Sequence, residues 1–488
     1  MKNYIDGQWV ESSNGKTLDK LNPSTGELLD RFPASTKEDV DRAIEAADSS
    51  YEAWFDMGSV VRGKLIRNAG DRIQDARNEL EEILIKECGK VKVQAAEEVD
   101  GVLDQIYYYS EFARKITGDV VEGTTSRRKI FQYKVPYGVV VALTPWNFPA
   151  GMVARKLAPA LLTGNSVVLK PSSDTPLTAE WIVRKFVEAG IPKGVLNLIT
   201  GKGSEIGDYI VSHKKVGLIT MTGSTETGQR ITKNTSINMA KTILELGGKA
   251  PFIVWKDADL ENAAKALIWA KFWNAGQSCI AAERLYVHSE IKQKFMDIFL
   301  KMTKEIKVGD PMNSVMGPLI NKGALETMKS FISKANEEKL NIVTGGKTPD
   351  LSGPFKNGFF FEPTIIDNVP QDSPIFQEEI FGPIVGVHEV KDKETMFKLA
   401  NDSKYGLASY LFTSDLNLVF EASERIRFGE IYVNMPGPEA SQGYHTGFRM
   451  TGKAGEGSKY GIEEYLKLKN VYVDYSGSKL KIGTVPGF

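Results

Sequence analysis

Short apolar runs alternate with helix-like stretches through the middle of the chain. Four runs predict buried strands, at 138–143, 166–169, 195–199 and 216–220. Helical spacing of apolar residues predicts helices after them, at 149–162, 177–189, near 204–212 and from about 225. Strands that alternate with helices form parallel sheets covered on both faces, and such sheets bind ligands beyond the carboxyl ends of their strands. The residues directly after each strand are therefore the first candidates for a site.

A second alternation begins near 251–254 and continues to about residue 435, and it includes a predicted helix at 259–273. The first forty residues predict short strands joined by turns, and 37–115 predict helices. Two further segments, 128–134 and 471–475, alternate like half-exposed strands. Because an unpaired strand is an aggregation-prone edge, we expect these two to pair with each other or with another subunit.

Composition narrows the possible partners. The chain has 488 residues with 61 basic and 62 acidic side chains, so its net charge of −1 predicts neither nucleic acid nor an anionic membrane as a partner.

The first ten residues do not form a signal peptide, and no apolar run approaches the roughly 20 residues that span a bilayer. Two cysteines, Cys88 and Cys279, favour a reducing cytoplasm, with Cys88 a packed helix residue. The four histidines lie far apart, so we predict no metal site.

Three strand ends carry residues suited to phosphate or ribose. Gly201-Lys-Gly203-Ser-Glu-Ile-Gly207 follows the third strand and is one residue longer than the usual dinucleotide fingerprint. Thr222-Gly223-Ser224 follows the fourth, where a helix cap would leave N–H groups for a phosphate. Lys170-Pro-Ser172-Ser173 follows the second. Each motif alone has an ordinary structural explanation: a tight turn for 201–207, a plain helix cap for 222–224 and a solvated lysine for Lys170. Two phosphate-type turns on neighbouring strands nevertheless favour a dinucleotide.

Cys279 follows a Gly-Gln-Ser turn after a long apolar stretch, and two other motifs supply what a nucleophile needs. Asn147, at the end of the first strand, could donate its amide N–H to an oxyanion. Glu245 could deprotonate a water. Separately, Asn147 could be a turn residue, Glu245 a surface acid and Cys279 a small buried hydrophobe.

Together these motifs are specific. Trp146-Asn147-Phe-Pro, Glu245-Leu-Gly-Gly-Lys, Gly-Gln-Ser-Cys279 and Glu379-Ile-Phe381-Gly-Pro resemble the aldehyde dehydrogenase superfamily over nearly the whole chain. The resemblance implies an α/β fold with a Rossmann-like cofactor domain, an α/β catalytic domain and a β-rich oligomerisation arm. The implied limits are 1–117 with 137–248 for the cofactor domain, 249–446 for the catalytic domain, and 118–136 with 467–488 for the arm.

The resemblance also implies a mechanism. Cys279 attacks the aldehyde as a thiolate, Asn147 and the Cys279 backbone N–H hold the oxyanion, hydride leaves to a nicotinamide, and Glu245 activates the water that hydrolyses the thioester. Glu379 is implied to bind the nicotinamide ribose. The implied cofactor residues are Thr144, Pro145, Trp146, Lys170, Ser172, Ser173, Gly203, Gly207, Thr222, Gly223, Ser224, Leu246, Gly247, Glu379 and Phe381.

One departure from the family pattern concerns the cofactor. NAD-preferring members usually have an acid at the position of Ser173, where it pairs with the adenosine ribose. A serine can instead donate to a 2′-phosphate, with Lys170 supplying charge. We therefore expect NADP over NAD; the alternative is that Ser173 is merely permissive and both cofactors work.

Arg155 lies eight residues after Asn147, on the same side of the predicted helix, where many relatives with apolar substrates have an aromatic residue. The segment from Glu439 to Arg449 departs from the family's common Pro-Phe-Gly-Gly pattern and resembles the lactaldehyde and glycolaldehyde dehydrogenase branch. With NADP, the chain looks most similar to archaeal glyceraldehyde dehydrogenases. We expect Arg155, Glu439, His445 and Asn147 to line the pocket of a small hydroxyaldehyde, D-glyceraldehyde first. Succinic semialdehyde and lactaldehyde are the rival substrates, and an inter-domain salt bridge is the structural alternative for Arg155.

Two other classes of protein remain as alternatives. A catalytically silent binding relative would be expected to lack one of Cys279, Glu245 and Asn147, and all three are present. A CoA-acylating dehydrogenase usually lacks the acid at Glu245. The arm implies a homo-oligomer, a tetramer first and a dimer second.

Overall fold

The structure is a computed structural model, and it describes residues 1–477. The strands are β1 (Asn3–Ile5), β2 (Gln8–Val10), β3 (Thr17–Leu21), β4 (Leu28–Pro33), β5 (Asp119–Glu122), β6 (Arg128–Pro136), β7 (Val139–Thr144), β8 (Ser166–Pro171), β9 (Leu196–Leu198), β10 (Val216–Thr222), β11 (Lys241–Glu245), β12 (Ala250–Val254), β13 (Ala282–His288), β14 (Asn341–Thr344), β15 (Thr364–Asp367), β16 (Ile384–Val390), β17 (Ala408–Phe412), β18 (Glu430–Val433), β19 (His445–Thr446), β20 (Gly452–Lys453), β21 (Gly455–Glu456) and β22 (Leu466–Asp474).

Helices cover both main sheets. They are α1 (Lys37–Asp56), α2 (Ser59–Asp75), α3 (Arg77–Cys88), α4 (Lys92–Glu111), α5 (Pro149–Leu162), α6 (Pro176–Glu188), α7 (Gly203–Ser212), α8 (Thr225–Asn234), α9 (Leu260–Phe272), α10 (Lys292–Lys304), α11 (Lys322–Glu337), α12 (Pro374–Gln377), α13 (Lys393–Asn401), α14 (Leu416–Arg425) and α15 (Ser458–Glu463). Short 3-10 turns occur at Phe112–Arg114, Trp273–Gly276, Gly353–Asn357 and Arg449–Thr451.

The first sheet has the order β2-β1-β9-β8-β7-β10-β11-β20, and its members from β9 to β11 run parallel. The four predicted strands and the helices between them are confirmed. Their Val- and Leu-rich sequences are buried on both faces because α1 and α7 pack on one face and α5 and α6 on the other. The carboxyl ends of β7, β8 and β10 therefore open at one edge.

The strand β11 is absent from the sequence predictions. It pairs in parallel with β10, with Thr222 opposite Glu245. Its sequence, Lys-Thr-Ile-Leu-Glu, contains only two apolar residues, so its own pattern gives little strand signal. The pairing places Glu245 at the same open edge as the predicted phosphate turns.

The second sheet has the order β14-β15-β16-β13-β12-β17-β18 and is parallel except at β14. The predicted helix at 259–273 is confirmed as α9. After α9, Asn274 and Ala275 take left-handed backbone conformations (φ 52° and 54°), which reverse the chain direction. This reversal leads to Cys279 just before β13.

A late segment, from β19 to β21, returns the chain from the second sheet to the first. β20 pairs with β11, opposite Leu244 and Glu245. Thr451 joins the two regions: its hydroxyl donates to Gly247 O and accepts from Gly406 N, both at 2.9 Å. The predicted domain limits do not assign 447–466 to any domain. These limits stay a prediction.

The two half-exposed segments pair with each other, as predicted. β6 and β22 run antiparallel from Arg128 opposite Asp474 to Pro136 opposite Leu466, and β5 adds to the other edge of β6. The predicted arm extended to residue 488, and its part beyond residue 477 lies outside the described residues. Within residues 1–477, no helix is both long and apolar enough to span a membrane.

Replacing Thr451 with valine tests this inter-sheet link. Thr451→Val keeps the shape but leaves the buried Gly247 carbonyl and Gly406 N–H without this partner, which we expect to cost about 1–3 kcal/mol of stability. The matched control is Thr327→Val on the exposed face of α11. Thermal unfolding should give a lower midpoint for Thr451→Val than for the control; equal midpoints would mean that the link does not stabilise the fold.

Candidate active site

A groove of about 520 Å³ opens at the carboxyl ends of β7, β8 and β10. It gathers most of the sequence-predicted cofactor residues, namely Thr144, Pro145, Trp146, Lys170, Ser172, Ser173, Gly203, Gly207, Thr222, Gly223 and Ser224. These residues come together because the strands are parallel and adjacent, so that their end loops share one edge.

The groove contains polar atoms that fit a ligand. Among the described residues, the buried hydroxyls of Thr144 and Thr222 have no hydrogen-bond partner. A Cβ atom added at Gly203 or Gly207 would have no described heavy atom of another segment within 4 Å, so the space beside both glycines is open. Ser224 caps α8, its hydroxyl accepting from Thr227 N at 3.2 Å. Unsatisfied buried hydroxyls and a helix N-terminus at one opening suit a phosphate-bearing cofactor.

Lys170 is the buried cation of this groove. Its Nζ donates to Pro171 O at 3.2 Å, and among residues 1–477 no carboxylate lies within ion-pair distance of it. Burial lowers the pKa of Lys170 to about 8. Beside it, the Ser173 hydroxyl donates to Gly201 O at 3.0 Å, and the Asp174 carboxylate accepts from Asn321. A bound anion would therefore supply a counter-charge that the surrounding side chains do not.

The remaining predicted cofactor residues form a neighbouring wall. Glu379 accepts a hydrogen bond from Gly248 N at 2.8 Å, and a Cβ at Gly247 would lie 2.5 Å from its carboxylate, so a larger residue there would displace the Glu379 side chain. Leu246 N donates to Thr451 O. Phe381 packs edge-on against Trp146, with ring centroids 5.3 Å apart, which joins this wall to the groove. Burial, with the nearby Glu283 charge, raises the pKa of Glu379 to about 7.

Hydrogen bonds join the loop that carries Asn147 to the loop at 274–279 that carries Cys279, called the nucleophile loop below for its predicted role. Asn147 Nδ2 donates to Gln277 O at 3.1 Å, and Asn274 Nδ2 donates to Asn147 O at 3.0 Å and to Gln277 O at 3.2 Å. The Asn147 amide is thus oriented toward the loop that carries Cys279. One of its two N–H groups stays available for a bound oxygen.

A second, smaller cavity of about 170 Å³ lies between the two sheets. Thr222 lines both this cavity and the groove, so the two spaces meet there. Its walls bring together the remaining predicted site residues, Cys279, Glu245, Arg155, Glu439 and His445. Asn147 lies beside the cavity and reaches the Cys279 loop through Gln277.

Glu245 ends β11 and faces this cavity. Its Oε2 atom is buried, has no hydrogen-bond partner among the described residues, and lies 3.5 Å from His445 Nε2. Burial raises the pKa of Glu245 to about 8, with the Glu456 charge adding to the rise and His445 opposing it. A carboxyl with this pKa can exchange a proton near neutral pH.

Arg155 and Glu439 form an ion pair across the cavity, with Nη2 to Oε1 at 2.5 Å. Arg155 lies on α5, which covers the first sheet, and Glu439 follows β18 of the second, so the salt bridge anticipated as the alternative is present and both residues also line the cavity. Burial would raise the pKa of Glu439, but Arg155 and His445 outweigh it and lower that pKa to about 2. The pair therefore stays charged.

Glu430 is a site residue that the sequence reasoning missed. It begins β18, and its Oε1 lies 2.9 Å from His445 Nδ1, while Tyr432 donates to its Oε2 at 2.8 Å. Burial would lower the pKa of His445, but the charges of Glu430, Glu439 and Glu245 raise it well above its usual value. No sequence motif contains both residues, because only the pairing of β19 with β21 and the position of β18 bring them together.

The cluster of Glu430, Glu439 and His445 has ligand-type atoms within 4.8 Å of one another. Its acids already have partners: His445 and Tyr432 bind Glu430, and Arg155 binds Glu439. Hydrogen bonds and an ion pair thus account for the cluster. The prediction of no metal site stays a prediction.

The two cysteines differ in surroundings. Cys88, at the end of α3, is buried, and its pKa is raised well above the usual range by burial. Burial also raises the pKa of Cys279 above its usual value, and the interaction of its thiol with His445 opposes that rise without cancelling it. Two buried lysines, Lys156 and Lys249, pair with acids instead of the thiol: Lys156 binds Glu456 at 2.5 Å, and Lys249 binds Glu283 at 2.7 Å.

Comparison with known proteins agrees with this geometry. Residues 9–471 match the model of the aldehyde dehydrogenase family, and the chain belongs to that family. It is 69% identical over 484 residues to the D-glyceraldehyde dehydrogenase (NADP(+)) of Thermoplasma acidophilum, covering 99% of this chain and 98% of that protein. It is 67% identical over 485 residues to the enzyme of the same name from Picrophilus torridus, with the same coverage of 99% and 98%.

A solved structure of 3,6-anhydro-L-galactose dehydrogenase in complex with NAP is also similar. It matches with a TM-score of 0.95 at 40% identity, covering 97% of this chain and 99% of that chain. The predicted aldehyde dehydrogenase fold is confirmed, and the chain is an oxidoreductase that acts on an aldehyde.

Proposed function

We propose that this enzyme oxidises D-glyceraldehyde to D-glycerate with NADP. The observation that carries the proposal is the small buried cavity in which the Arg155–Glu439 pair and His445 surround Cys279. Buried charged groups of this kind reward a substrate that hydrogen-bonds to them and penalise an apolar one that leaves them unpaired. The 69% identity to an archaeal enzyme named for this reaction supports the same substrate.

The first half of the reaction belongs to the Cys279 loop. The Cys279 thiolate attacks the aldehyde carbon, and the carbonyl oxygen becomes an oxyanion that accepts from Asn147 Nδ2 and from the Cys279 backbone N–H. Bound NADP supplies the hydride acceptor. Loss of hydride from the former aldehyde carbon leaves a thioester on Cys279.

Glu245 is the proposed base for the second half of the reaction, the hydrolysis of the thioester. Its carboxylate takes a proton from a water molecule, and the resulting hydroxide attacks the thioester carbon. The carbon–sulfur bond breaks, which releases the acid and returns Cys279 as a thiolate. The Oε2 atom of Glu245, which has no hydrogen-bond partner among residues 1–477, is the proton acceptor in this step.

Glu245→Gln should separate the two halves. We expect a burst of about one reduced cofactor per site and then a kcat lowered about 10²–10⁴-fold, because acylation persists and hydrolysis loses its base. In the parent enzyme, the hydrolysis rate should rise as pH increases through about 8, where the Glu245 carboxylate forms; the variant should lose this dependence. Glu97→Gln, at the exposed rim of the cavity, is the control. Normal steady-state turnover by Glu245→Gln would remove Glu245 from the mechanism.

In this proposal the Arg155–Glu439 pair determines the preference for a hydroxyaldehyde over an apolar aldehyde. Replacing both residues, as Arg155→Met with Glu439→Leu, avoids an unpaired buried charge and should cost little stability. We expect the ratio of kcat/KM for D-glyceraldehyde over butanal to fall about 100-fold or more, because the polar partners of the substrate hydroxyls are gone. An unchanged ratio in the folded double variant would leave the pair as an inter-sheet salt bridge only.

NADP binding is assigned to Lys170 and Ser173. Lys170 is the buried cation available for a 2′-phosphate, and the Ser173 hydroxyl can turn from Gly201 O to donate to it. Ser173→Asp should lower kcat/KM for NADP about tenfold or more while sparing NAD, because a carboxylate repels the phosphate. Lys170→Met should also weaken NADP more than NAD. Equal effects of Ser173→Asp on both cofactors would contradict the assignment.

We further propose a cytoplasmic homo-oligomer, a tetramer first and a dimer second, built through an arm at 118–136 and 467–488. The support is that no further strand among residues 1–477 pairs with either outer edge of the β5-β6-β22 sheet, and that its strands expose Val120, Leu468 and Tyr472. The cofactor domain would be 1–117 with 137–248 and the catalytic domain 249–446. Light scattering on the full chain measures the assembly directly.

A further inference from the structure

His445 occupies the space between the nucleophile and the base. Its Nε2 atom lies 3.5 Å from Glu245 Oε2, and His445 and Cys279 line the same cavity, where the imidazole interacts with the thiol. The ring is buried, with 5% of its residue surface exposed, so solvent does not screen these interactions. The imidazole is therefore placed to act on the nucleophile as well as on a substrate.

The orientation of the ring is set from its other side. Nδ1 lies 2.9 Å from Glu430 Oε1 and donates to it, and Tyr432 holds the second oxygen of that carboxylate. His445 itself lies in β19, opposite Glu456 of β21. With Nδ1 bound to Glu430, Nε2 is the atom left to face Cys279.

The charges around the ring favour a protonated imidazole. Glu439 pairs with Arg155, and Glu456 pairs with Lys156. Among residues 1–477, this leaves Glu430 and Glu245 as the carboxyl groups beside the ring without a Lys or Arg partner; Tyr432 and Tyr410 are the neutral titratable groups near it, and the Cys279 thiol is the third titratable neighbour. A positive ring therefore compensates the carboxylate of Glu430 and faces the sulfur.

We propose that Cys279, His445 and Glu430 form a resident activating triad, in which Glu430 positions His445 and the His445 imidazolium stabilises the Cys279 thiolate before any cofactor or aldehyde binds. The sulfur–hydrogen bond breaks, the proton moves to Nε2, and the electron pair stays on sulfur. No oxidant or external base is needed. The inference rests on the proposed function only in taking Cys279 as the nucleophile.

Alkylation of the free enzyme tests the triad without turnover. Iodoacetamide reacts with the thiolate form, so its rate across the pH range reports the Cys279 ionisation, and peptide mapping separates Cys279 from Cys88. We would compare the parent enzyme with His445→Gln, which keeps a hydrogen-bonding amide without the charge, and with Glu430→Gln. His388→Gln, whose ring packs between Tyr286 and Phe376 on the second sheet, is the matched control.

We expect His445→Gln to react about tenfold or more slowly near pH 7, with its pH profile displaced upward, because the opposite charge beside the thiolate is lost. Glu430→Gln should shift the profile in the same direction by less, and His388→Gln should not shift it. The same profile for His445→Gln and the parent would overturn the proposal. If His445→Gln then still loses glyceraldehyde turnover, His445 acts on substrate and the proposed function stands.

A general loss of structure is distinguished by a second measurement. Each variant would be checked for a parent-like circular dichroism spectrum and thermal midpoint. Should His445→Gln fail this check, Glu430→Gln decides alone, since it leaves the imidazole in place: a displaced profile supports the triad, and an unchanged profile contradicts it.

Discussion

The reciprocal hydrogen bonds between Asn147 and the nucleophile loop are the constraint on which the active site depends. Asn147 belongs to the end of a strand in the first sheet, whereas Gln277 and Asn274 lead into the second. Neither sheet alone carries the proposed site, because Glu245 ends a strand of the first sheet and Cys279 precedes a strand of the second. Amide-to-carbonyl bonds at about 3 Å, in a buried position where water does not compete, hold these parts in register.

Buried charge is the second organising feature. Arg155 with Glu439 and Lys156 with Glu456 each bridge elements from different parts of the chain, so the cavity walls carry ions without leaving them unpaired. Glu245 differs, because within the described part of the chain its Oε2 atom has the His445 ring beside it and no hydrogen-bond partner. The same low-polarity surroundings that make an unpaired carboxylate costly also give Glu245 a pKa near the working range of a base.

Much of this arrangement could be predicted from local pattern and from motifs. Strands β7 to β10 and their helices follow from short apolar runs, and the family motifs locate Cys279, Asn147 and Glu245. Strand β11 has too few apolar residues to be recognised, although it places Glu245 beside Thr222. Glu430 could not be found because it lies 15 residues from His445 in no shared motif, and only the folded sheets join them. Arg155 is predicted either to bind substrate or to form an inter-domain salt bridge; the structure shows the ion pair with Glu439 at the cavity wall, and substrate binding stays a prediction.

The most direct measurement is the initial rate of oxidation of four aldehydes, each with NADP and with NAD. The aldehydes are D-glyceraldehyde, L-lactaldehyde, succinic semialdehyde and hexanal, and the absorbance of the reduced cofactor follows each reaction. We expect the highest kcat/KM for D-glyceraldehyde with NADP. A preference for succinic semialdehyde would make Arg155 a carboxylate clamp and contradict the hydroxyl-binding pocket, and a preference for hexanal would contradict a polar pocket altogether.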